Sequence, residues 1–331
     1  MLPKFAIKAI NITFIFAFST IWSKAQDQST SVFNFLHLPT SAHATALGGI
    51  NISLVDDDAS MLFMNPALML NASNHSINMS FLTYMRGSKA GTASWVQAAG
   101  ERGSWGVGAQ FVGYGSMKEM NVEGIETGDF KALDMSLTGG YSYALTEYLA
   151  GGATGKFLYS HYGHYTSLAL AVDLGLNYYN PDIDLSLSAV AANIGGQIKP
   201  FADTRERLPF DLRIGFTKRL AAAPLRFSVT MVDLTRWSAS DYYNPLREEK
   251  FGRILLDHFI LGLDILPTKY FYISAGYNFR RANELKAAGS SHGAGLSFGA
   301  GLNIKKFSLG VAYAKYHVSS ASLMLTAQYS L

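Results

Sequence analysis

The sequence predicts an all-β protein, an antiparallel transmembrane β-barrel of about 14 strands preceded by an N-terminal hatch with short helices. Three observations predict this fold. From residue 75 onward, apolar residues alternate with small or polar ones, which is the period of a β-strand. Short connections alternate with long ones between these segments. Charged residues make up only 15% of the chain, against about 25% in an average soluble domain, so lipid is expected to be part of the solvent.

Residues 1–25 have the pattern of a secretory signal peptide. Two lysines lie before an apolar stretch, residues 9–22, and small residues at positions 23 and 25 suit cleavage before Gln26. The peptide carries three lysines and no acidic residue, so its removal leaves 24 basic against 24 acidic residues. The formal charge of +3 on the full chain therefore implies no nucleic-acid partner.

The chain has no cysteine. It therefore has no disulfide framework, no thiol catalysis, no sulfur ligand for a metal and no lipoprotein anchor. After residue 25 there is also no run of about 18 or more apolar residues, so the sequence offers no transmembrane helix.

Residues 26–74 lack the alternation and are predicted to form a compact hatch. Asp58 is placed to cap a short helix over residues 59–64, because its carboxylate can accept a hydrogen bond from a free N–H of the first turn. Pro66 suits the first position of a second short helix, since that position needs no N–H. The predicted hatch motif consists of Asp56, Asp57, Asp58, Asn65, Pro66 and Ala67.

Residues 75–331 are predicted to form the barrel. Along residues 168–176, leucine and valine alternate with alanine, aspartate and glycine, and residues 322–331 show a similar alternation. A strand that crosses lipid needs about 9–11 residues of this kind. The predicted strands are 75–85, 91–99, 104–113, 130–144, 148–159, 167–179, 184–194, 210–219, 225–236, 255–265, 270–280, 292–304, 307–317 and 320–331.

The connections between strands predict an orientation. The short ones are residues 100–103, 146–147, 180–183, 220–224, 267–269 and 305–306. The loops between them include the long, charged stretches 114–129, 195–209, 237–254 and 281–291. Bacterial barrels have short periplasmic turns and longer surface loops. Both termini are therefore predicted to be periplasmic and the long loops to lie at the cell surface. Aromatic residues near strand ends, among them Tyr242, Tyr243 and Tyr270, fit an interfacial girdle.

Six charged residues fall on the inner face of the predicted strands. A charge on the lipid face costs about 2–4 kcal/mol at mid-depth, whereas in a wet or plugged lumen it can pair or stay hydrated. The predicted lumen-facing residues are Asp134, Lys156, Asp173, Asp211, Arg213 and Asp264. The stretches Gly151-Gly152 and Gly299-Ala300-Gly301 are predicted to be small inward residues where the wall bends or the hatch comes close.

Three groups of residues could carry chemistry, and each is better explained by structure. The aspartates at 56–58 lack the spaced glycine and distal glutamate of a calcium loop, so capping and hatch-to-wall hydrogen bonds are favoured. His161 and His164 lie in a predicted surface loop without a third zinc ligand. The Gly-x-Ser-x-Gly pattern occurs at residues 289–293 and 295–299, the first largely in a predicted loop and the second inside a predicted strand. Neither lies at the strand-to-helix turn that a nucleophile elbow needs, which argues against an outer-membrane hydrolase. The sequence therefore predicts no catalytic, cofactor-binding or metal-binding residue and no enzyme.

Several phrases in residues 31–70 resemble a known family. They are Ser-Val-Phe-Asn-Phe-Leu at 31–36, Leu-Pro-Thr-Ser-Ala at 38–42, Ala-Leu-Gly-Gly at 46–49, the three aspartates and Asn-Pro-Ala at 65–67. Together they resemble the PorQ family, outer-membrane proteins of the type IX secretion system of the Bacteroidetes. Residues 208–215 resemble a strand opening shared with the related PorV family. The Asn-Pro-Ala element also resembles the hatch of FadL-type fatty acid transporters, which have fourteen-stranded barrels.

These resemblances imply two different functions. A PorQ-like protein is a non-enzymatic anchor for a surface attachment complex that couples secreted cargo to the cell surface. Its implied partners are outer-membrane lipid and PorZ, which it holds directly, together with PorU and PorV. A FadL-like protein instead passes hydrophobic small molecules across the outer membrane. Such a transporter needs an apolar pocket between hatch and wall and a lateral gap, and a tightly filled lumen would argue against it. No cofactor is implied by either resemblance.

Overall fold

The computed structural model describes residues 31–84, 87–120, 123–237, 250–289, 293–318 and 320–331. Within these residues, fourteen antiparallel strands form one closed barrel, and the predicted fold is confirmed. The strands are β1 (Ser76–Thr83), β2 (Lys89–Ala99), β3 (Gly103–Met120), β4 (Glu126–Ala144), β5 (Leu149–Tyr162), β6 (Tyr165–Asn180), β7 (Leu185–Lys199), β8 (Asp211–Arg219), β9 (Leu225–Met231), β10 (Phe259–Thr268), β11 (Phe271–Asn278), β12 (Leu296–Ile304), β13 (Phe307–Ala314) and β14 (Ser322–Ser330).

The first and last strands close the barrel. β1 and β14 pair in antiparallel register from Ser76 opposite Ser330 to Leu82 opposite Met324. Each remaining strand pairs with its neighbours in sequence. Hydrocarbon offers no hydrogen-bond partner to a free backbone edge, so closure is what allows this sheet to face lipid.

The two faces of the wall meet different surroundings. On β6, Leu170 and Leu174 are about half exposed on the outer face, whereas Ala169 and Asp173 on the inner face are almost fully buried. The outer face therefore carries large apolar side chains and the inner face carries small or polar ones. This division is the physical origin of the period-two pattern in the sequence.

Residues 31–74 run through the lumen as a series of short helices. Asp58 caps the short helix η2 (Ala59–Phe63), because its carboxylate accepts a hydrogen bond from the Ser60 N–H at 2.8 Å, as the sequence predicted. Pro66 lies in the first turn of the next short helix, η3 (Pro66–Asn71), also as predicted. Helices this short are not stable alone, so their packing against the wall holds them. They are η1 (Asn34–His37), α1 (Ala42–Ala46), η2 (Ala59–Phe63) and η3 (Pro66–Asn71).

Two predicted loops are largely strand. Residues 114–129 were predicted as a loop, but β3 continues to Met120 and β4 begins at Glu126. His161 lies on β5, and β5 joins β6 by a tight turn at Gly163, where φ is 59°. The prediction of a long loop over residues 114–129 is therefore wrong, and the surface loop predicted around His161 is reduced to this turn. The lipid-driven alternation ends at the membrane boundary, but the hydrogen-bonded ladder continues beyond it.

Two other predicted loops contain helices, α2 (Phe251–Asp257) and α3 (Phe279–Ala287). Residues 238–249 of the predicted 237–254 loop lie outside the described residues, and they include the predicted girdle residues Tyr242 and Tyr243. None of the described helices is long and apolar enough to cross a membrane.

The two ends of the described chain lie at opposite ends of the barrel. Leu331 follows β14, and its N–H donates to the His75 carbonyl at the short-turn end. Ser31 instead forms a bridge with Arg207 in the long connection between β7 and β8. Residues 1–30, including the predicted cleavage site before Gln26, lie outside the described residues. The periplasmic position of both termini therefore stays a prediction. The hatch enters the barrel from the long-loop end and leaves it at the start of β1.

Replacing Leu174 by arginine tests which face of the wall meets lipid. We expect the free energy of unfolding in lipid vesicles to fall by about 2–4 kcal/mol, because the charge would lie at mid-depth in hydrocarbon. Ile183→Arg in the turn after β6 is the control and should cost about 0–1 kcal/mol. Equal losses from the two variants would contradict the assigned outer face. Urea-induced unfolding in vesicles measures both.

Candidate functional site

The contact between hatch and wall is the candidate functional site. At several of the closest approaches between hatch and wall, the wall residue is glycine. A Cβ on Gly152 would lie 2.5 Å from the Pro66 carbonyl carbon, and one on Gly276 would lie 2.3 Å from the Gly48 nitrogen. A Cβ on Gly299 would lie 2.7 Å from the Ala46 Cβ. These distances are shorter than real Cβ atoms tolerate, so the close approach requires glycine.

The same relation recurs around the barrel, so the hatch fills the lumen at this level. The predicted inward position is confirmed for Gly152, Gly299 and Gly301. It is wrong for Gly151, whose Cβ would meet the exposed side chains of Leu145 and Leu176 on the outer face. Other wall glycines whose Cβ would meet a hatch atom within 3.2 Å are Gly106, Gly108, Gly140, Gly175, Gly215, Gly262 and Gly310.

A cluster of four charged side chains joins the hatch to β9 and β10. His43 contacts Asp264 through Nε2 at 3.0 Å and Asp56 through Nδ1 at 3.3 Å. The Arg226 guanidinium donates to both oxygens of Asp56 at 2.7 and 3.0 Å and to Asp264 at 2.8 Å. The Tyr272 ring stacks on His43 with ring centroids 4.1 Å apart. Two residues of the cluster come from the hatch and two from the wall.

The charges of this cluster balance. Burial alone would lower the pKa of His43, but Asp264 and Asp56 outweigh burial and raise it to about 9. Burial alone would raise the pKa of Asp56, but Arg226 and His43 hold it well below its usual range. At neutral pH the two cations and the carboxylates of Asp56 and Asp264 therefore sum to zero. A buried group of charges needs such balance, because an unpaired charge costs several kcal/mol.

The other two aspartates of the motif bind different partners. Asp57 accepts hydrogen bonds from the Ser73 N–H at 2.7 Å and from its hydroxyl at 2.5 Å. Asp58 caps η2 and also accepts from the Asn78 amide of β1 at 2.9 Å. The three carboxylates therefore diverge, and the described residues contain no group of three or more His, Asp or Glu placed to hold a metal ion.

The Asn-Pro-Ala element joins two parts of the hatch beside the wall. The Asn65 amide donates to the Ile52 carbonyl at 2.8 Å, and its oxygen accepts from the Ala67 N–H at 3.0 Å. Pro66 lies against Gly152 and Gly175. The motif therefore serves to cross-brace the hatch where the lumen is narrowest.

The six predicted lumen residues are buried, and most of them pair within the wall. Lys156 contacts Asp173 at 2.6 Å, and Arg213 contacts Asp211 at 2.5 Å. Asp134 accepts from the Tyr114 and Tyr162 hydroxyls at 2.7 and 2.8 Å. Asp264 joins the hatch cluster. The two ion pairs are near enough to interact, since Arg213 acts electrostatically on both Lys156 and Asp173. Asp134 and Asp264 have other partners.

An apolar chamber lies at the long-loop end, and the hatch occupies it. Phe33 and Phe35 are almost fully buried there, with their rings 6.4 Å apart. Phe33 has a positive φ of 61°, which a bulky residue rarely adopts and which the surrounding packing must maintain. The chamber wall is formed by Leu82, Ala90, Val112, Leu158, Ala169, Ala171, Leu208 and Met324.

Several residues of this site were missed by the sequence analysis. Arg226 lies on the inner face of β9 together with Ser228 and Thr230. This run of polar residues at every second position could have identified it from the sequence. His43 and Tyr272 gave no comparable signal, because their pairing depends on how the hatch runs through the lumen.

The fold is similar to that of solved outer-membrane channels. The Pseudomonas putida toluene transporter TodX matches with a TM-score of 0.58 and 13% sequence identity over 90% of this chain and 98% of TodX. The monoaromatic hydrocarbon channel CymD matches with a TM-score of 0.54 and 14% identity over 91% of this chain and 99% of CymD. A scan against protein-family models and a search of curated proteins each found no match. The chain thus shares the closed antiparallel β-barrel fold of these channels.

Replacing Gly152 by alanine tests the filled lumen. We expect the hatch to lose its seat and the barrel to be destabilised by about 1–3 kcal/mol, because the new Cβ would overlap the Pro66 and Ala67 backbone. The control is Gly155→Ala on the same strand, where an added Cβ meets nothing within 4 Å. Protease sensitivity of residues 31–74 and the thermal unfolding midpoint report the effect. Equal behaviour of the two variants would contradict a seated hatch.

The raised pKa of His43 predicts a pH dependence. A group whose pKa is higher in the folded state contributes most below its unfolded value, here 6.5, and loses the contribution as pH rises through about 9. The stability difference between the wild type and His43→Gln should therefore shrink between these values, by at most about 3 kcal/mol. Chemical unfolding at a series of pH values measures it. A difference that grew with pH would contradict a protonated His43.

Proposed function

We propose that this barrel anchors a protein complex at the cell surface and conducts no solute while the hatch is seated. The filled lumen carries the proposal. Glycine contacts bring the hatch backbone against the wall, and the four-charge cluster joins the two. A barrel filled in this way presents its ends to other molecules, and long loops are where binding surfaces usually lie.

The long-loop end offers surface for such a complex. β3 and β4 extend as a hairpin, on which Met120 and Ile125 are more than half exposed. The resemblance of residues 31–70 to PorQ supplies the partners of the proposal, which are PorZ, held directly, with PorU and PorV. In this proposal the protein is not an enzyme.

A second candidate function is the passage of hydrophobic small molecules. The comparisons favour it over the anchoring role, because TodX and CymD are described as a toluene transporter and a monoaromatic hydrocarbon channel. Their identity to this chain is low, so the likeness supports a shared fold rather than a shared ligand. The apolar chamber around Phe33 and Phe35 also favours it, since a hydrophobic molecule could replace the two rings.

A disulfide lock on the hatch separates the two functions. The Ser53 hydroxyl of the hatch and the Thr217 hydroxyl of β8 lie 2.8 Å apart, close enough for a disulfide between cysteines at these positions. The chain has no other cysteine, so Ser53→Cys with Thr217→Cys forms a single defined cross-link. We expect the oxidised lock to retain surface-attached cargo and PorZ in cells that lack the wild-type protein.

The two single-cysteine variants and the reduced lock are the controls. If oxidation released cargo and PorZ and reduction restored them, the seated-anchor proposal would be wrong. If oxidation stopped uptake of a monoaromatic hydrocarbon and reduction restored it, the transport candidate would replace the anchor. Wild-type cells and cells lacking the protein calibrate both measurements.

A further inference from the structure

Three apolar side chains form an exposed patch at the rim of the barrel above β9 and β10. Phe251 is 70% exposed, Leu256 is 47% exposed and Trp237 is 41% exposed. The Trp237 and Phe251 rings are nearly parallel, with centroids 6.3 Å apart. We call Trp237, Phe251 and Leu256 the rim patch. Large apolar side chains gathered on one short helix and its neighbour normally indicate a surface that another phase or molecule covers.

The rim patch is held in a fixed position. The Trp237 indole N–H donates to the Leu234 carbonyl at 2.6 Å, and its ring lies 4.2 Å from that of His258. On the opposite side of α2, Ile254 and Asp257 are buried, and the Asp257 carboxylate accepts a hydrogen bond from an amide of α3. Packing of this side against α3 leaves Leu256 and the rest of the patch pointing away from α3.

The position of α3 gives the direction of the patch relative to the lumen. Arg281 of α3 donates to the Gly48 carbonyl of the hatch at 3.3 Å, and its guanidinium lies 4.8 Å from the Tyr316 ring. α3 therefore lies on the lumen side, over the hatch. The rim patch, on the far side of α2, faces outward from the barrel.

The strands beneath the patch are short. β9 and β10 share seven residue pairs, which at about 3.4 Å per residue and a tilt of about 40° reach about 18 Å. The apolar band of an outer-membrane barrel is about 25 Å tall. On the other side of the barrel, β5 and β6 share fourteen pairs and exceed that height. The ladder continues at both ends, because the Val232 N–H donates to the His258 carbonyl and the Leu266 N–H donates to the Pro224 carbonyl. At the His258 end it therefore meets the C-terminal end of α2 directly.

The rim patch continues the lipid-facing surface of these strands. Phe227 and Leu261 are exposed on the outer face of β9 and β10. The last pair of these two strands joins Met231 to Phe259, next to the C-terminal end of α2. Lys250 is exposed at the start of α2, where its ammonium could meet headgroup phosphates. Tryptophan at the boundary and a basic residue on the polar side are typical of helices that lie in a membrane interface.

We propose that α2 lies in the outer leaflet of the membrane, with Phe251 and Leu256 among the acyl chains and Trp237 at headgroup level. The helix thereby extends the apolar outer surface of β9 and β10 at the rim. Its occupant is lipid, and a protein partner on the same face is the competing outcome. The proposal is independent of whether the barrel anchors a complex or passes a solute.

Fluorescence quenching of Trp237 tests this placement. The chain has four tryptophans, of which Trp22 lies in the predicted signal peptide, so Trp95→Phe with Trp105→Phe leaves Trp237 alone in the mature protein. This variant is reconstituted in phosphatidylcholine vesicles with bromine near the headgroup end of the acyl chains. We expect emission to fall about two-fold or more relative to unbrominated vesicles, and acrylamide in the water to quench weakly.

The matched control places the single tryptophan in water. It carries Trp95→Phe, Trp105→Phe, Trp237→Phe and Ile125→Trp, because Ile125 lies exposed next to the tip of the β3–β4 hairpin. Brominated lipid should leave its emission unchanged. If Trp237 behaved like this control, with strong acrylamide quenching and no effect of bromine, the proposal would be overturned and the patch would be open to a protein partner. The test uses native side chains at the patch and does not depend on a destabilised variant.

Discussion

The backbone of this chain must satisfy its hydrogen bonds without water, and the rest of the structure depends on that constraint. The pairing of β1 with β14 removes both sheet edges. Closure then creates an interior, and the hatch fills it with residues 31–74. Wall and hatch compete for the same space, so the wall carries glycine at positions such as Gly152 and Gly276, where the two backbones meet. The small inward residues are therefore a consequence of closure around a folded segment.

The buried charges show how the hatch is held in one position. Apolar packing tolerates small shifts, but the bidentate contact of Arg226 with Asp56 is directional and fixes one register. Asp264 accepts from both His43 and Arg226 and thus ties β10 to the hatch. Removing one member would leave a buried charge without its partner, which costs more than the loss of a single hydrogen bond. Such a cluster favours one seated hatch over many loosely packed ones.

The filled lumen and the similarity to hydrocarbon channels are compatible at the level of fold. The same closed barrel can hold a hatch that moves or one that stays, and the contacts of the hatch decide between them. Here the hatch is also held from above, where Arg281 of α3 contacts Gly48. α3 in turn packs against α2, so the rim, the cap over the lumen and the hatch form one connected body.

The sequence by itself determined the closed fourteen-strand barrel, because lipid on one side and a packed lumen on the other impose a local period of two. It also determined the cap at Asp58, which depends on a neighbour two residues away, and the place of Pro66 in the first turn of a short helix. Only the tertiary structure decided that His43 meets Asp264, 221 residues later, that Ser31 lies at the long-loop end, and that the lumen is filled. These features depend on the path of the hatch through the barrel, and a path is set by long-range packing that leaves no periodic trace in the chain.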